Sequence, residues 1–170
     1  MTDANVTALL GKQINKELYS SYLYLAIAGY YAEQNLDGFA NWYEVQAKEE
    51  LDHALLFRQY MLNDGSPVVL EAIDQPEMQI NSIADGVKLS LAHEQMITAS
   101  IGDIYTEALA KRDYKTTQFL DWFIKEQGEE EKNATDLCKK VELFGSDPKS
   151  LYMLNAELAA RVYAPPSLVL

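Results

Sequence analysis

The chain has 170 residues, with 26 acidic against 14 basic, a formal net charge of −12 and an isoelectric point near 4.5. A chain of that size forms one domain with a substantial core, and so acidic a surface attracts cations and repels nucleic acid and anionic lipid, which excludes both as partners. A single cysteine, Cys138, excludes an internal disulfide; with no basic-then-apolar leader and no apolar run near the roughly 20 residues of a membrane span, a cytoplasmic protein is expected.

Between about Val6 and Gln34, the residues Leu10, Ile14, Glu17, Ser21, Tyr24, Ala28 and Tyr31 step alternately by four and three. They mark one helix face with a charge at its middle. Asp3 or Asn5 is placed to cap it. The other sides carry Tyr19, Tyr22, Leu25, Ala26 and Tyr30, too apolar for a solvated face, and predict a subunit interface. A tight turn at 35–38 leads to a second helix running to about Asn63. Its stripe is Phe39, Tyr43, Gln46, Glu50, His53, Phe57 and Tyr60, again polar in the middle. Glu50 and His53 lie three apart on one face, so the pair is placed to grip one cation.

Asp64-Gly65-Ser66-Pro67 ends the second helix, and Ser82 with Asp85 opens a third in a capping-box pattern. The roughly 17 residues between them reach about 56 Å when extended, against about 40 Å for the second helix. A crossover along the whole bundle is predicted. The third helix, to about Ala110, presents Val87, Leu91, Glu94, Thr98, Ile101, Tyr105 and Ala108. After a turn at 111–113 the fourth presents Leu120, Phe123, Gln127, Glu130, Ala134, Leu137, Val141 and Phe144. Gly145 stops it, Asp147-Pro148 opens a short fifth helix to about Val162, and Pro165-Pro166 ends that. The apolar residues 168–170 follow the proline break and are read as a disordered tail.

Glu17, Glu50 with His53, Glu94, and Gln127 with Glu130 all sit near the midpoints of their helices, so in an antiparallel bundle they meet at one level. Carboxylates so close repel unless cations neutralise them. A carboxylate-rich set with one imidazole suits iron or manganese better than structural zinc, and metal-binding bundles of the two-glutamate, two-Glu-x-x-His kind are built this way. The expected fold is an all-α, ferritin-like four-helix bundle over about 6–145 with a short fifth helix over about 148–162, one domain across 1–170. His93-Glu94-Gln95-Met96-Ile97 begins like the zinc-protease motif, but Ile97 stands where a second histidine is required. His93 is read as a surface or interface residue.

These residues resemble the bacterial non-haem ferritins over essentially the whole chain. The resemblance implies that Glu17, Glu50 and His53 hold a first iron, and that Glu50, Glu94 and Glu130 hold a second with Gln127 beside it. The segment 126–131 resembles the family's third-site stretch, which implies a third iron on Glu49, Glu126, Glu129 and Glu130. Tyr24 and Trp122 match positions beside the centre. The family's activity is oxidation of Fe2+ by dioxygen or peroxide, with storage of Fe3+ as mineral inside a homo-oligomeric shell of 24 subunits. Bacterioferritins place a haem-binding methionine where this chain has Leu51, so no haem is expected. Gln127-x-x-Glu130 in place of a second Glu-x-x-His predicts a looser second iron, suited to transit. The acids that line the three-fold channels of animal ferritins correspond, by register, to Thr117 and Leu120, which leaves the iron entry route open. Gly128 is placed for a close backbone approach or for metal traffic.

Two other readings compete. A di-iron oxidoreductase or peroxidase with fixed metals is opposed by Gln127-x-x-Glu130 and by the third-site glutamates. A DNA-protecting mini-ferritin of twelve subunits is opposed by the fifth helix and by ligands drawn from within one subunit.

Overall fold

The computed structural model describes residues 2–170. Among them are five helices, α1 (Ala4–Glu33), α2 (Asp37–Asn63), α3 (Ile83–Ala110), α4 (Tyr114–Phe144) and α5 (Pro148–Leu158), with no strand. α1 packs along α2 and α3 along α4, as short turns between helices require. The first turn holds Asn35 at φ 57° and the second Arg112 at φ 58°. Residues 64–82 have no regular structure and carry the chain from the end of α2 to the start of α3, which is the predicted crossover.

Three of the five helix starts are capped by a side chain, and those of α2, after Leu36, and α3 are not. Asp3 accepts from the Asn5 N–H, Asp113 from Thr116 and Asp147 from Ser150, so three starts are closed by carboxylates. At α3 the capping box is only half formed. Ser82 makes no side-chain cap, and Asp85 reaches past it to the Asn81 N–H at 3.0 Å.

The fifth helix ends at Leu158, four residues before the expected Val162. The side-chain amide of Asn41 on α2 takes up the carbonyls of Leu158, Ala159 and Arg161, so the chain leaves the helix to meet α2 well before Pro165. The start of α5's last turn lies so near the start of α2 that a Cβ on Gly38 would stand 1.7 Å from the Asn155 carbonyl oxygen. Asn155 uses that proximity to accept from the Gly38 and Phe39 N–H groups.

The interior divides into two apolar clusters. One gathers Leu23, Ile27, Tyr31, Phe39, Tyr43, Val87 and Leu137, with Tyr31 stacked on Tyr43. The other gathers Leu10, Ile14, Phe57, Ile97, Ile101, Leu120 and Phe123. Between them lies a layer of buried polar side chains. Thr117 and Leu120 belong to the interior, Leu120 being wholly inaccessible. Leu168 packs against the second cluster, so the tail is anchored rather than loose at that residue. A Cβ at Gly128 would meet nothing within 4 Å, so a close approach within this chain is not its reason. Among the described residues, no helix is long and apolar enough to cross a membrane.

Candidate metal centre

Each bundle helix contributes to the polar layer at its midpoint. Glu17 from α1, Glu50 and His53 from α2, Glu94 from α3, and Gln127 and Glu130 from α4 are all buried, none more than 6 % exposed. Their positions follow from the three-and-four spacing of the stripes: the residue that falls on the core face at mid-helix is polar in every helix.

Glu17, Glu50 and His53 each offer a ligand atom within 4.8 Å of the other two. His53 Nδ1 lies 3.3 Å from Glu50 Oε2. Glu17 Oε1 accepts from Gln13 at 2.8 Å, but Glu17 Oε2 is buried with no hydrogen-bond partner. An orphaned carboxylate oxygen carries a desolvation penalty, and an oxygen-and-imidazole set around it fits a divalent cation.

Glu94 and Glu130 stand on the opposite pair of helices and do not join that tight group. Glu94 Oε1 accepts the hydroxyl proton of Tyr24, and Glu94 Oε2 accepts from Gln127 at 3.1 Å. Glu130 is tied to Glu50 through Gln46, whose amide donates to Glu50 Oε1 at 2.9 Å and to Glu130 Oε2 at 2.8 Å. Trp122 meets the His53 ring edge-on, centroids 5.7 Å apart.

Electrostatically the layer is loaded with protons. Burial, and after it the charge of Glu50, pushes Glu17 up to about 8 and Glu130 up to about 8. The same two causes, with Glu130 added, raise Glu94 well above the carboxylate range. Burial pushes Glu50 upward too, but the adjacent His53 more than offsets it and holds Glu50 low. Burial works against a charged His53, yet Glu50, Glu17 and Glu130 together lift it to about 10. The layer is therefore one imidazolium–carboxylate pair among neutral carboxylic acids, and an entering cation exchanges for protons.

The flank beside the layer is less uniform. Glu49 is half-buried, and Arg161 donates to its Oε2 at 2.5 Å. Glu126 is half-buried, with its carboxyl raised chiefly by burial. Glu129 is exposed and pairs with Lys125 at 3.6 Å. These three and Glu130 are not drawn into one cluster.

Several residues in the layer carry no ligand pattern in the sequence. Gln13 orients Glu17 and is itself fixed by the Ser100 hydroxyl at 2.6 Å; Gln46 orients Glu50. Both glutamines precede their glutamate by four residues on the same face, a Gln-x-x-x-Glu repeat on α1 and α2 that was available as a signal. His93 corrects its expected place at the surface: it is buried, 2.7 Å from the Ser20 hydroxyl and edge-on to Tyr24. Burial depresses its pKa, so it serves as a neutral polar filler behind the site.

Comparisons with known proteins agree with this arrangement. The family model of the ferritin-like domain matches residues 7–144. The bacterial non-heme ferritin of Campylobacter jejuni is 37 % identical over 155 residues, 91 % of this chain and 93 % of its own. A probable bacterial non-heme ferritin-like protein of Haemophilus influenzae is 33 % identical, over 93 % of this chain and 96 % of its own. Among solved structures, an open-pore ferritin from the hyperthermophilic archaeon Archaeoglobus fulgidus superposes with a TM-score of 0.92 at 36 % identity, covering 94 % of this chain and 98 % of that one. With four helices meeting in one buried acidic layer and relatives this extensive, the chain belongs to the ferritin family, in the company of the bacterial non-heme ferritins.

Proposed function

We propose that this chain is an iron-storage ferritin subunit that oxidises Fe2+ with dioxygen at the buried layer and passes Fe3+ to a mineral inside a cytoplasmic shell of 24 copies. The observation that carries the reading is Glu17 Oε2, a buried carboxylate oxygen without a partner in the group it forms with Glu50 and His53. In this assignment Glu17, Glu50 and His53 hold the first Fe2+, and Glu50, Glu94 and Glu130 the second, with Gln127 alongside. Iron here is the substrate. Two irons at adjacent positions supply the two electrons that take dioxygen to the peroxide level, and positioning them is the protein's contribution. Each cation that enters displaces protons from the acids and from His53, so the site returns to a neutral, compact state when iron leaves.

Tyr24 and Gln127 have a defined part. Both donate to Glu94, holding that carboxyl in place for the second iron. Glu49, Glu126, Glu129 and Glu130 are assigned a third iron on the flank, reached after oxidation. The presence of α5 and a candidate group drawn wholly from one subunit favour this reading over a twelve-subunit mini-ferritin.

The test is stopped-flow oxidation of two Fe2+ per subunit followed by particle mass and iron content after repeated additions. Rapid oxidation with iron retained in a 24-subunit particle is expected. A particle that turns over oxidant without retaining iron is the fixed di-iron enzyme instead.

A further inference from the structure

After α5 the chain turns back along α2 and α4 and crosses the flank of the metal layer. Arg161 begins this return: its guanidinium donates to Glu49 Oε2 at 2.5 Å, to Gln46 Oε1 at 2.9 Å and to the Trp42 carbonyl at 3.3 Å. It also lies 4.2 Å above the Trp42 ring. Two residues on, Tyr163 donates to Asp52 at 2.5 Å, and at the far end the Trp122 indole donates to the Ser167 hydroxyl at 3.0 Å. Residues 164–167 thereby form the outer wall of a cavity of about 250 Å³ whose inner wall is Glu49, His53, Trp122 and Glu126.

The arrangement joins two facts. The Arg161 guanidinium is spent on Glu49, an acid assigned to the third iron, while the exposed Lys125 pairs with Glu129; the same guanidinium touches Gln46, which links Glu50 to Glu130. We propose that residues 161–168 are a strap across the flank of the metal layer and that Arg161 is its built-in cation, competing with a metal ion for Glu49. A cation arriving at Glu49 and Glu126 takes the carboxylate from Arg161 and loosens the strap; departure of that cation lets Arg161 return. The inference rests on the third-site reading and adds to it a resident competitor.

The chain has two tryptophans; Trp122 meets both Ser167 and His53, so a Trp122→Phe background leaves Trp42, beneath Arg161, as the emission that reports the strap. Zinc, which undergoes no redox change, is titrated into the native shell, with calorimetry for stoichiometry and Trp42 emission for the strap. The third zinc per subunit is expected to change the emission, whereas the first two leave the Trp42 end undisturbed. Arg161→Gln is expected to bind the third zinc roughly tenfold tighter, the loss of one charge-assisted competitor, and Arg161→Lys to restore most of the wild-type weakness. Tyr163→Phe, which leaves the charge in place and frees the strap from Asp52, is expected to tighten the third zinc by a smaller factor. Equal third-zinc affinity in wild type and Arg161→Gln overturns the competition while leaving the third site standing. Absence of a third zinc from every variant overturns both.

Discussion

Tyr24 on α1 and Glu94 on α3 are joined phenol to carboxylate across the buried layer. The phenol is itself completely enclosed, and burial followed by the charge of Glu94 keeps it protonated, so it acts as a donor alone. Tyr24→Phe leaves Glu94 Oε1 without that donor. Loss of a buried hydrogen-bond partner costs about 1–3 kcal/mol, so the metal-free shell of the variant should melt several degrees lower at fixed protein concentration. Zinc loading should narrow the gap, because a metal then satisfies the same oxygen. A gap that stays unchanged on loading assigns Tyr24 a packing role only.

Glu17 and His53, assigned to the first iron, form with Glu50 the group whose ligand atoms lie within 4.8 Å of one another. His53→Ala or Glu17→Ala should abolish rapid oxidation of the first two Fe2+ per subunit with the particle mass preserved. Glu17→Gln should also stabilise the metal-free protein above about pH 8, since an amide stays neutral where the buried Glu17 carboxyl has to ionise. Stopped-flow absorbance and thermal melting of the same preparations check both arms, and a wild-type fast phase in either alanine variant removes that residue from the site.

The pH response follows from the raised groups. Glu17 and Glu130, near 8, and His53, near 10, all bind protons more tightly in the folded chain than their ordinary values. Their contribution to metal-free stability is complete below the ordinary carboxylate range. It is lost as pH climbs through 8, and for His53 through 10. Metal-free stability should therefore fall from pH 5 to pH 9. Loading should release protons at pH 7, with zinc affinity rising as pH rises. Calorimetry in buffers of different ionisation enthalpy measures the release directly; identical heats in all buffers contradict it.

Tyr22 and Leu25 stand about half exposed on the outer side of α1, an apolar face that the subunit leaves to others. Leu25→Glu should break the shell into small oligomers by sedimentation velocity while leaving helicity by circular dichroism intact. A wild-type particle would move the interface off this face.

The core stripes were legible because burial and helical periodicity are local facts. Glu17, Glu50, His53, Glu94, Gln127 and Glu130 were all placed inside by spacing alone, and all six are buried. What escaped depends on distant partners. His93 is buried because Ser20, seventy-three positions away, accepts or donates at its ring, and the early end of α5 is set by Asn41 on α2. Arg161 lies more than a hundred positions from Glu49, and no local pattern pairs a lone arginine near a chain's end with an acid on another helix. The half-formed capping box at Ser82 failed differently: the motif was present, but Asp85 found the neighbouring Asn81 N–H instead.

The glutamates proposed for the third iron divide into two kinds. Glu129 is exposed and paired with Lys125, a surface ion pair of small worth, so its carboxylate swings toward a cation at little cost. Glu49 is half-buried under Arg161, and freeing it requires the guanidinium to move. Neither lies in the tight group of Glu17, Glu50 and His53, so under the proposed assignment neither takes part in the first oxidation. Glu129→Ala and Glu49→Ala should both keep the fast phase for two Fe2+ per subunit. They should differ from wild type in dioxygen consumed per iron and in the recovery of the fast phase after the first load. Glu49→Ala should show the larger change, because it removes an acid proposed for the third iron and also releases Arg161 from its carboxylate partner. Repeated Fe2+ additions with an oxygen electrode read both quantities. Recovery identical to wild type in both variants would make the flank a solvated acidic patch with no part in iron transfer.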